Sequence, residues 1–434
     1  MSGRRRILLL ALAGFALAVC WTTPAQAEDA PAQTAGEPQT QPTAVPERRK
    51  DPFPSEESYL ILPLPYSLPG IGSGLFLTAY ETNYVFPHRA YALLIQGDAE
   101  GTIFGLEQVQ LMPKRLLFDV FWQDINHASY RNYALRGMDT GKNDYSLLEL
   151  SKVQDTQWQF TFTSWERRLE AFVNGLQEEV RVTRVRDPSG NAIADFAQPL
   201  KSTYQQYVAG LRLDLTDEYY DPRKGVRLVT EYTDTPRQDP DQPDFYVVTT
   251  RLAAYVPVGH QSTIAFTALQ SDARVRSTGD TDLASLNRKN SLGCAPADLV
   301  CRGSQAALVA NDLAANSHGT AQTLGGQNYL RAYPGSRFRG AHTLYYSVEL
   351  RANLTDEFTP FDYVFFKDIR TGVQVAPFYE AGSVSETEGA LGAKWRTDYG
   401  VGLRVVTASG TVYRVDVADS DEGSNVTIIV NYPW

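Results

Sequence analysis

Beyond residue 58 the chain is built of short stretches in which apolar and polar residues alternate with a period of two. At 342–354, His342, Leu344, Tyr346, Val348, Leu350, Ala352 and Leu354 alternate with Thr343, Tyr345, Ser347, Glu349, Arg351 and Asn353, so one face is apolar and the other polar. The same division recurs at 207–215 and at 411–418, where Thr411, Tyr413, Val415 and Val417 oppose Val412, Arg414, Asp416 and Ala418. A period of two places successive side chains on opposite faces of a β-strand, so each strand separates two environments. Gly, Asp, Asn and Pro between the stretches supply the turns.

Strand-like segments fall at 73–82, 91–100, 103–112, 115–124, 145–154, 157–166, 168–179, 203–215, 225–235, 243–256, 261–271, 341–354, 369–382, 396–406, 410–418 and 425–433. Their lengths lie near the roughly nine to eleven residues that a tilted strand needs to cross a bilayer, and tyrosines recur near their ends as interfacial anchors do. A soluble β-protein would also alternate. The last ten residues discriminate, because Val426, Ile428, Val430, Tyr432 and Trp434 alternate up to a terminal aromatic, as in the closing strand of an outer-membrane barrel. The expected fold is all-β, a 16-stranded antiparallel transmembrane β-barrel occupying 59–434. With both termini on the periplasmic side, the link after strand eight is a periplasmic turn, which Asp221-Pro222-Arg223-Lys224-Gly225 suits. The link after strand eleven, 272–340, is then an extracellular loop, and its length marks it as functional.

The N-terminus changes the setting. Arg4, Arg5 and Arg6 precede an apolar run, and Ala25-Gln26-Ala27 forms a small-residue cleavage site, so 1–27 reads as a signal peptide; a lipidated Cys20 is the rival. Residues 28–58 read as a disordered Pro-rich leader with little to bury. Removing the three signal arginines leaves 37 of the 40 basic side chains against 50 acidic ones, a net charge near −13. Nucleic acid is excluded as a partner, since phosphate binding needs a basic face. Cys294 and Cys301 are then the remaining cysteines, and in an exported chain a loop disulfide is expected over a zinc site, for which no His stands nearby. The five histidines have no metal spacing and no Gly-x-Ser-x-Gly elbow occurs, so neither cofactor nor catalysis is expected.

Against this background the order of several motifs is specific: DPRKG at 221–225, LGGQNYLRAYPGSRFRG at 324–340, VELR at 348–351, PFYEAGSV at 377–384, GVGLRV at 400–405 and YRVDVA at 413–418. Together they resemble the bacterial surface antigen barrel of the BamA/TamA superfamily of outer-membrane insertases and translocases, most closely over about 200–434. The resemblance implies that the long loop re-enters the barrel and that its tip, Arg331-Ala332-Tyr333, docks on the segment containing Phe378 and Glu380. Periodicity agrees, since Phe378 and Glu380 share a face with Gln374, Ala376 and Gly382. Two departures from the family pattern stand out: Ala332 replaces the usual glycine, and Glu380 stands where some members carry aspartate. Glu349, Arg351, Arg404, Arg414 and Asp416 read as lumen-facing charge pairs of the wall. Arg337 and Arg339 serve the return path of the loop.

The resemblance implies a cell outer membrane location in a Gram-negative bacterium, with outer-membrane lipids and protein clients or a periplasmic partner chain as partners. The family's periplasmic polypeptide-transport-associated domains have no counterpart in 28–58, so a barrel-only member is expected. Its expected function is insertion or translocation of proteins, or of lipids, through a seam between the first strand near 73–82 and the last, 425–433, where Pro433 lacks an N–H. The alternative is a passive or loop-plugged pore.

Overall fold

A computed structural model describes residues 50–53, 56–259, 262–355, 361–369, 371–407 and 412–430. The signal peptide, the leader up to residue 49, and Tyr432, Pro433 and Trp434 of the closing strand lie outside them. Among the described residues, eighteen strands form one antiparallel sheet. Sixteen build the barrel: β1 (Ser58–Leu68), β2 (Gly72–Thr82), β3 (Arg89–Gly97), β4 (Glu100–Met112), β5 (Leu116–Asn132), β6 (Ser146–Ser164), β7 (Leu169–Arg186), β8 (Ala192–Asp214), β9 (Gly225–Thr235), β10 (Asp244–Val258), β11 (Ser262–Ser277), β12 (His342–Asn353), β15 (Thr371–Ser385), β16 (Arg396–Thr407), β17 (Val412–Ser420) and β18 (Gly423–Val430). The other two, β13 (Phe361–Tyr363) and β14 (Phe366–Ile369), are a short hairpin in the β12–β15 connection.

The period-two pattern maps directly onto the wall. On β12, Tyr346, Val348 and Leu350 are exposed, while Tyr345, Ser347, Glu349 and Arg351 are buried. The surface that would meet lipid is therefore apolar, and the interior holds the charge, as a membrane barrel requires.

The count of sixteen survives two offsetting differences. The segments 145–154 and 157–166 are one strand, β6, because Asp155 points inward and is fully buried while Trp158, Phe160 and Phe162 point outward. A polar residue on a lumen-facing position continues the alternation and does not break it. Conversely, β1 precedes the segment expected to be first; its sequence, SYLILPLPYSL, contains Pro63 and Pro65, which argue against an interior strand. Strand eight keeps its number, so the long connection, now 278–341, still follows strand eleven.

β1 explains its own prolines. It pairs with β2 over its whole length, but with β18 through the single pair Ser67↔Ile428 among the described residues. In an antiparallel ladder, alternate residues direct their bonds to opposite neighbours. The Ile61 N–H donates to the Phe365 carbonyl on the seam side at 2.9 Å, so the odd-numbered residues of β1 face the seam. Pro63 and Pro65 are odd-numbered and have no N–H to give. The first strand therefore lacks two donors on the side where the barrel closes. The β13–β14 hairpin covers part of the same edge, with Tyr59↔Lys367 and Leu60↔Phe366 paired.

β5 to β8 run 17, 19, 18 and 23 residues, longer than a bilayer needs. Their far ends carry an inward apolar cluster that includes Ile125, Leu148, Val180 and Val182. Against it pack Leu292 and Cys301 of the long loop, whose helices are α1 (Leu283–Lys289) and α2 (Leu299–His318). Asp298 caps α2 by accepting from the Cys301 N–H at 2.9 Å, and Cys301 is disulfide-bonded to Cys294 with the Cα atoms 5.5 Å apart. Gly319, with φ +73°, ends α2 and turns the chain toward the barrel interior.

Candidate functional site

From Gly319 the loop descends as a narrow hairpin closed by the bridge Leu324↔Phe338. Gly325 and Gly326 hold φ of +103° and +102°, and at Gly325 an added Cβ would lie 2.1 Å from the Pro334 carbonyl oxygen, so the double glycine is what lets the hairpin fold on itself. The tip turns over Leu330-Arg331-Ala332-Tyr333, with the Tyr333 N–H donating to the Leu330 carbonyl at 3.0 Å. The left-handed residue of this turn is Leu330, at φ +54°, and Ala332 is not among the positive-φ residues. A glycine is therefore not needed where Ala332 stands.

Arg331 is fully buried halfway along the barrel. Its Nε donates to Glu380 Oε1 at 2.9 Å and its backbone N–H to Glu380 Oε2 at 2.7 Å. Nη1 reaches Asp416 Oδ2 at 3.0 Å, and both terminal nitrogens lie 3.4 Å from Glu349 Oε2. The guanidinium carbon sits 3.3 Å from the Phe378 ring centroid. Tyr345 donates to Glu380 Oε1 at 2.6 Å, completing that carboxylate's shell. The Ala332 N–H donates to Asp398 Oδ2 at 2.7 Å, and Asn425 donates to the Ala332 carbonyl. The tip is thus gripped by β12, β15, β16, β17 and β18 together. Burial alone would lower the Arg331 pKa, but Glu380, Asp416 and Glu349 hold it well above its ordinary value.

Sequence reasoning read Glu349 and Asp416 as wall pairs; the structure brings both onto Arg331. Glu349 also accepts from Arg404, at 2.5 Å from Nη1, and from Arg351 Nε at 2.8 Å. Arg414 binds Asp416 at 3.0 Å and the Gln327 carbonyl at 2.5 Å. Four arginines and four carboxylates, with Asp398 as the fourth, interlock in one buried site. Such a network stands only while nearly every member is paired, because an isolated buried charge is strongly penalised.

The GVGLRV motif acquires a physical reading here. A Cβ on Gly400 would lie 2.5 Å from Phe378 Cζ and 2.3 Å from the Val417 carbonyl oxygen; one on Gly402 would lie 2.4 Å from Asp416 Oδ1. These glycines make room for the ring under Arg331 and the carboxylate beside it. Gly400→Val should therefore destabilise the barrel by about 1–3 kcal/mol through overpacking. The check is the thermal unfolding midpoint in detergent, where no fall relative to wild type would contradict the account.

Farther out, Tyr333 donates to Asp421 Oδ1 at 2.6 Å, and burial followed by that carboxylate pushes its pKa up. Arg337 is also fully buried: it binds Glu422 at 2.9 and 2.6 Å and Thr140 Oγ1 at 2.5 Å, between the rings of Tyr133 and Phe338, each 4.7 Å away. It therefore staples the loop to two connections at the loop end of the barrel. Arg339, likewise buried, donates to the Ser336 carbonyl at 3.3 Å.

At the opposite end, the termini end, where β1 begins and β18 ends, the DPRKG connection does more than turn. Tyr219, Tyr220 and Asp221 are buried. Asp221 accepts from Gln374 on β15 at 2.8 Å and lies 3.7 Å from Arg351 on β12, so the β8–β9 connection reaches past its own strands to β12 and β15. Tyr219 and Tyr220 were not singled out by periodicity, since both belong to a connection.

The Omp85 superfamily domain matches residues 110–418. The chain belongs to the Omp85 superfamily. Among solved structures, this Omp85 barrel is similar to BamA from Haemophilus ducreyi lacking POTRA domains 1-3, at 10% identity and a TM-score of 0.46, covering 86% of this chain and 69% of that one. It is similar also to CdiB from Escherichia coli, at 12% identity and a TM-score of 0.46, with 88% and 68% covered. No curated protein matches the sequence. The fold is an Omp85 superfamily barrel, with the loop segment that carries Arg331 buried inside it.

Proposed function

We propose that this barrel inserts or translocates polypeptides at the outer membrane of a Gram-negative bacterium, using the β1–β18 seam as the path and the Arg331 cluster as the latch that seats the long loop. The observation that carries the reading is the seam. It is held by one described residue pair, and Pro63 and Pro65 withhold two donors beside it, whereas β17 and β18 share eight pairs. Among the described residues, an edge so depleted opens at less cost than the fully paired strands of the wall, and opening exposes β1 to an incoming strand. The termini end then faces the periplasm, and the loop end the exterior.

The reading is non-enzymatic and takes outer-membrane lipids and a protein client, or a periplasmic partner that delivers one, as its partners; lipid is the other candidate cargo. Reconstitution tests it. Liposomes containing the purified protein should assemble an unfolded outer-membrane barrel several-fold faster than empty liposomes, measured by heat-modifiable gel mobility. Equal rates would overturn it. The second reading, a loop-plugged pore, is favoured by the loop hairpin buried in the lumen, and a large, steady, ion-selective conductance from the wild-type protein would select it.

A further inference from the structure

The termini-end mouth holds a segment that composition assigned to an unstructured leader. Lys50–Phe53 are described, and Phe53 is only 5% exposed. It lies beneath the β4–β5 and β6–β7 turns, which carry Lys114 and Arg167. Its ring centroid is 5.6 Å from the Arg167 guanidinium carbon and 5.5 Å from Lys114 Nζ. Arg167 Nη1 donates to the Pro52 carbonyl at 2.9 Å, and Lys114 Nζ lies 3.2 Å from Asp51 Oδ2. β1 begins at Ser58, five positions after Phe53.

The receptor side is built and not incidental. Arg167 is buried and fixed by Glu170 at 2.7 Å, by the Tyr220 hydroxyl at 3.1 Å and by the Tyr219 ring, whose centroid is 4.0 Å away. It is presented by a turn in which Trp165, Glu166 and Arg167 hold φ of +51°, +50° and +65°. Three consecutive left-handed residues without a glycine are disfavoured, and strain of this kind concentrates at functional positions.

We propose that this mouth is a binding site for an extended peptide carrying an acidic residue followed two positions later by an aromatic one, occupied in cis by Asp51-Pro52-Phe53. The contacts define that class. A main-chain carbonyl is taken by Arg167, a carboxylate two residues before the ring by Lys114, and the ring itself by the two cations. A small anion supplies none of the carbonyl contact, and a lipid tail supplies only apolar surface. Tethering gives the leader a high effective concentration, so a peptide in trans gains access only when it outcompetes the leader or the leader is withdrawn. The inference rests on the polypeptide-handling reading above, for which this site is the first docking point at the periplasmic mouth.

The test uses the full-length protein in detergent and a fluorescein-labelled peptide of the chain's own sequence, KDPFPSEE. Asp51→Ala/Phe53→Ala should bind it at least tenfold more tightly than wild type by fluorescence anisotropy, and should bind KDPAPSEE at least tenfold more weakly than KDPFPSEE. Adding Lys114→Glu should reduce the affinity for KDPFPSEE. Equal binding of the two peptides, or no gain over wild type, overturns the site. If the selectivity holds while client assembly in liposomes is unchanged by Asp51→Ala/Phe53→Ala, the site stands and its role in polypeptide handling falls.

Discussion

Arg331→Ala should unseat the long loop and turn a nearly closed barrel into a conducting one. The substitution takes the guanidinium from Glu380, which keeps the Tyr345 hydroxyl, and removes a cation from Asp416 and Glu349. Leaving buried charge uncompensated costs about 3–5 kcal/mol, which at 1.4 kcal/mol per decade lowers the seated-to-unseated ratio by roughly 10² to 10³·⁵. In planar bilayers the wild type should show small, irregular currents and the variant larger ones. Limited trypsin digestion should cut at Arg337 or Arg339 only in the variant, since both are buried in the seated loop. Arg331→Lys should fall between, because a lysine keeps the charge but loses the forked contact and the stacking on Phe378. Glu380→Gln should be milder than Arg331→Ala, as Arg331 retains Asp416 and Glu349. Unchanged currents and unchanged protease protection in Arg331→Ala would remove the latch from the mechanism.

The parts of this structure that follow from a local rule were legible in the sequence, and those that follow from strand register were not. Tyr346, Val348 and Leu350 obey one rule wherever they stand, so the lipid face could be read from alternation alone. Glu349 and Asp416 obey the same rule, which says only that they point inward. That they meet Arg331 depends on β12, β15, β16 and β17 aligning as Glu349↔Phe378, Phe378↔Gly400 and Gly400↔Ala418, with Ala376↔Gly402 and Gly402↔Asp416 one step along. Register of this kind is set by the closure of the whole barrel. Arg331, Phe378 and Glu380 came from a family resemblance and not from periodicity. β1 was missed by the period-two count for the opposite reason: its prolines break the rule for an interior strand because it lies at the seam.

That seam yields the second large effect. Cysteines introduced as Ser67→Cys and Ile428→Cys face each other across the closing pair, and their disulfide would join the first and last strands covalently. In a background of Cys294→Ser and Cys301→Ser, which removes the native bond, client assembly in liposomes should drop to the rate of empty liposomes when the pair is oxidised and recover on reduction. A seam that need not open would leave the oxidised rate equal to the reduced one. Pro63→Val and Pro65→Val approach the same question without a crosslink. Each restores an N–H on the seam side of β1, and each ladder bond gained there, at about 0.5–1.5 kcal/mol, would favour the closed seam by roughly two- to twelvefold. The double variant should raise thermal stability and slow client assembly together. That pairing of effects separates a weakened seam from an ordinary edge-strand proline, whose replacement would raise stability and leave the rate alone.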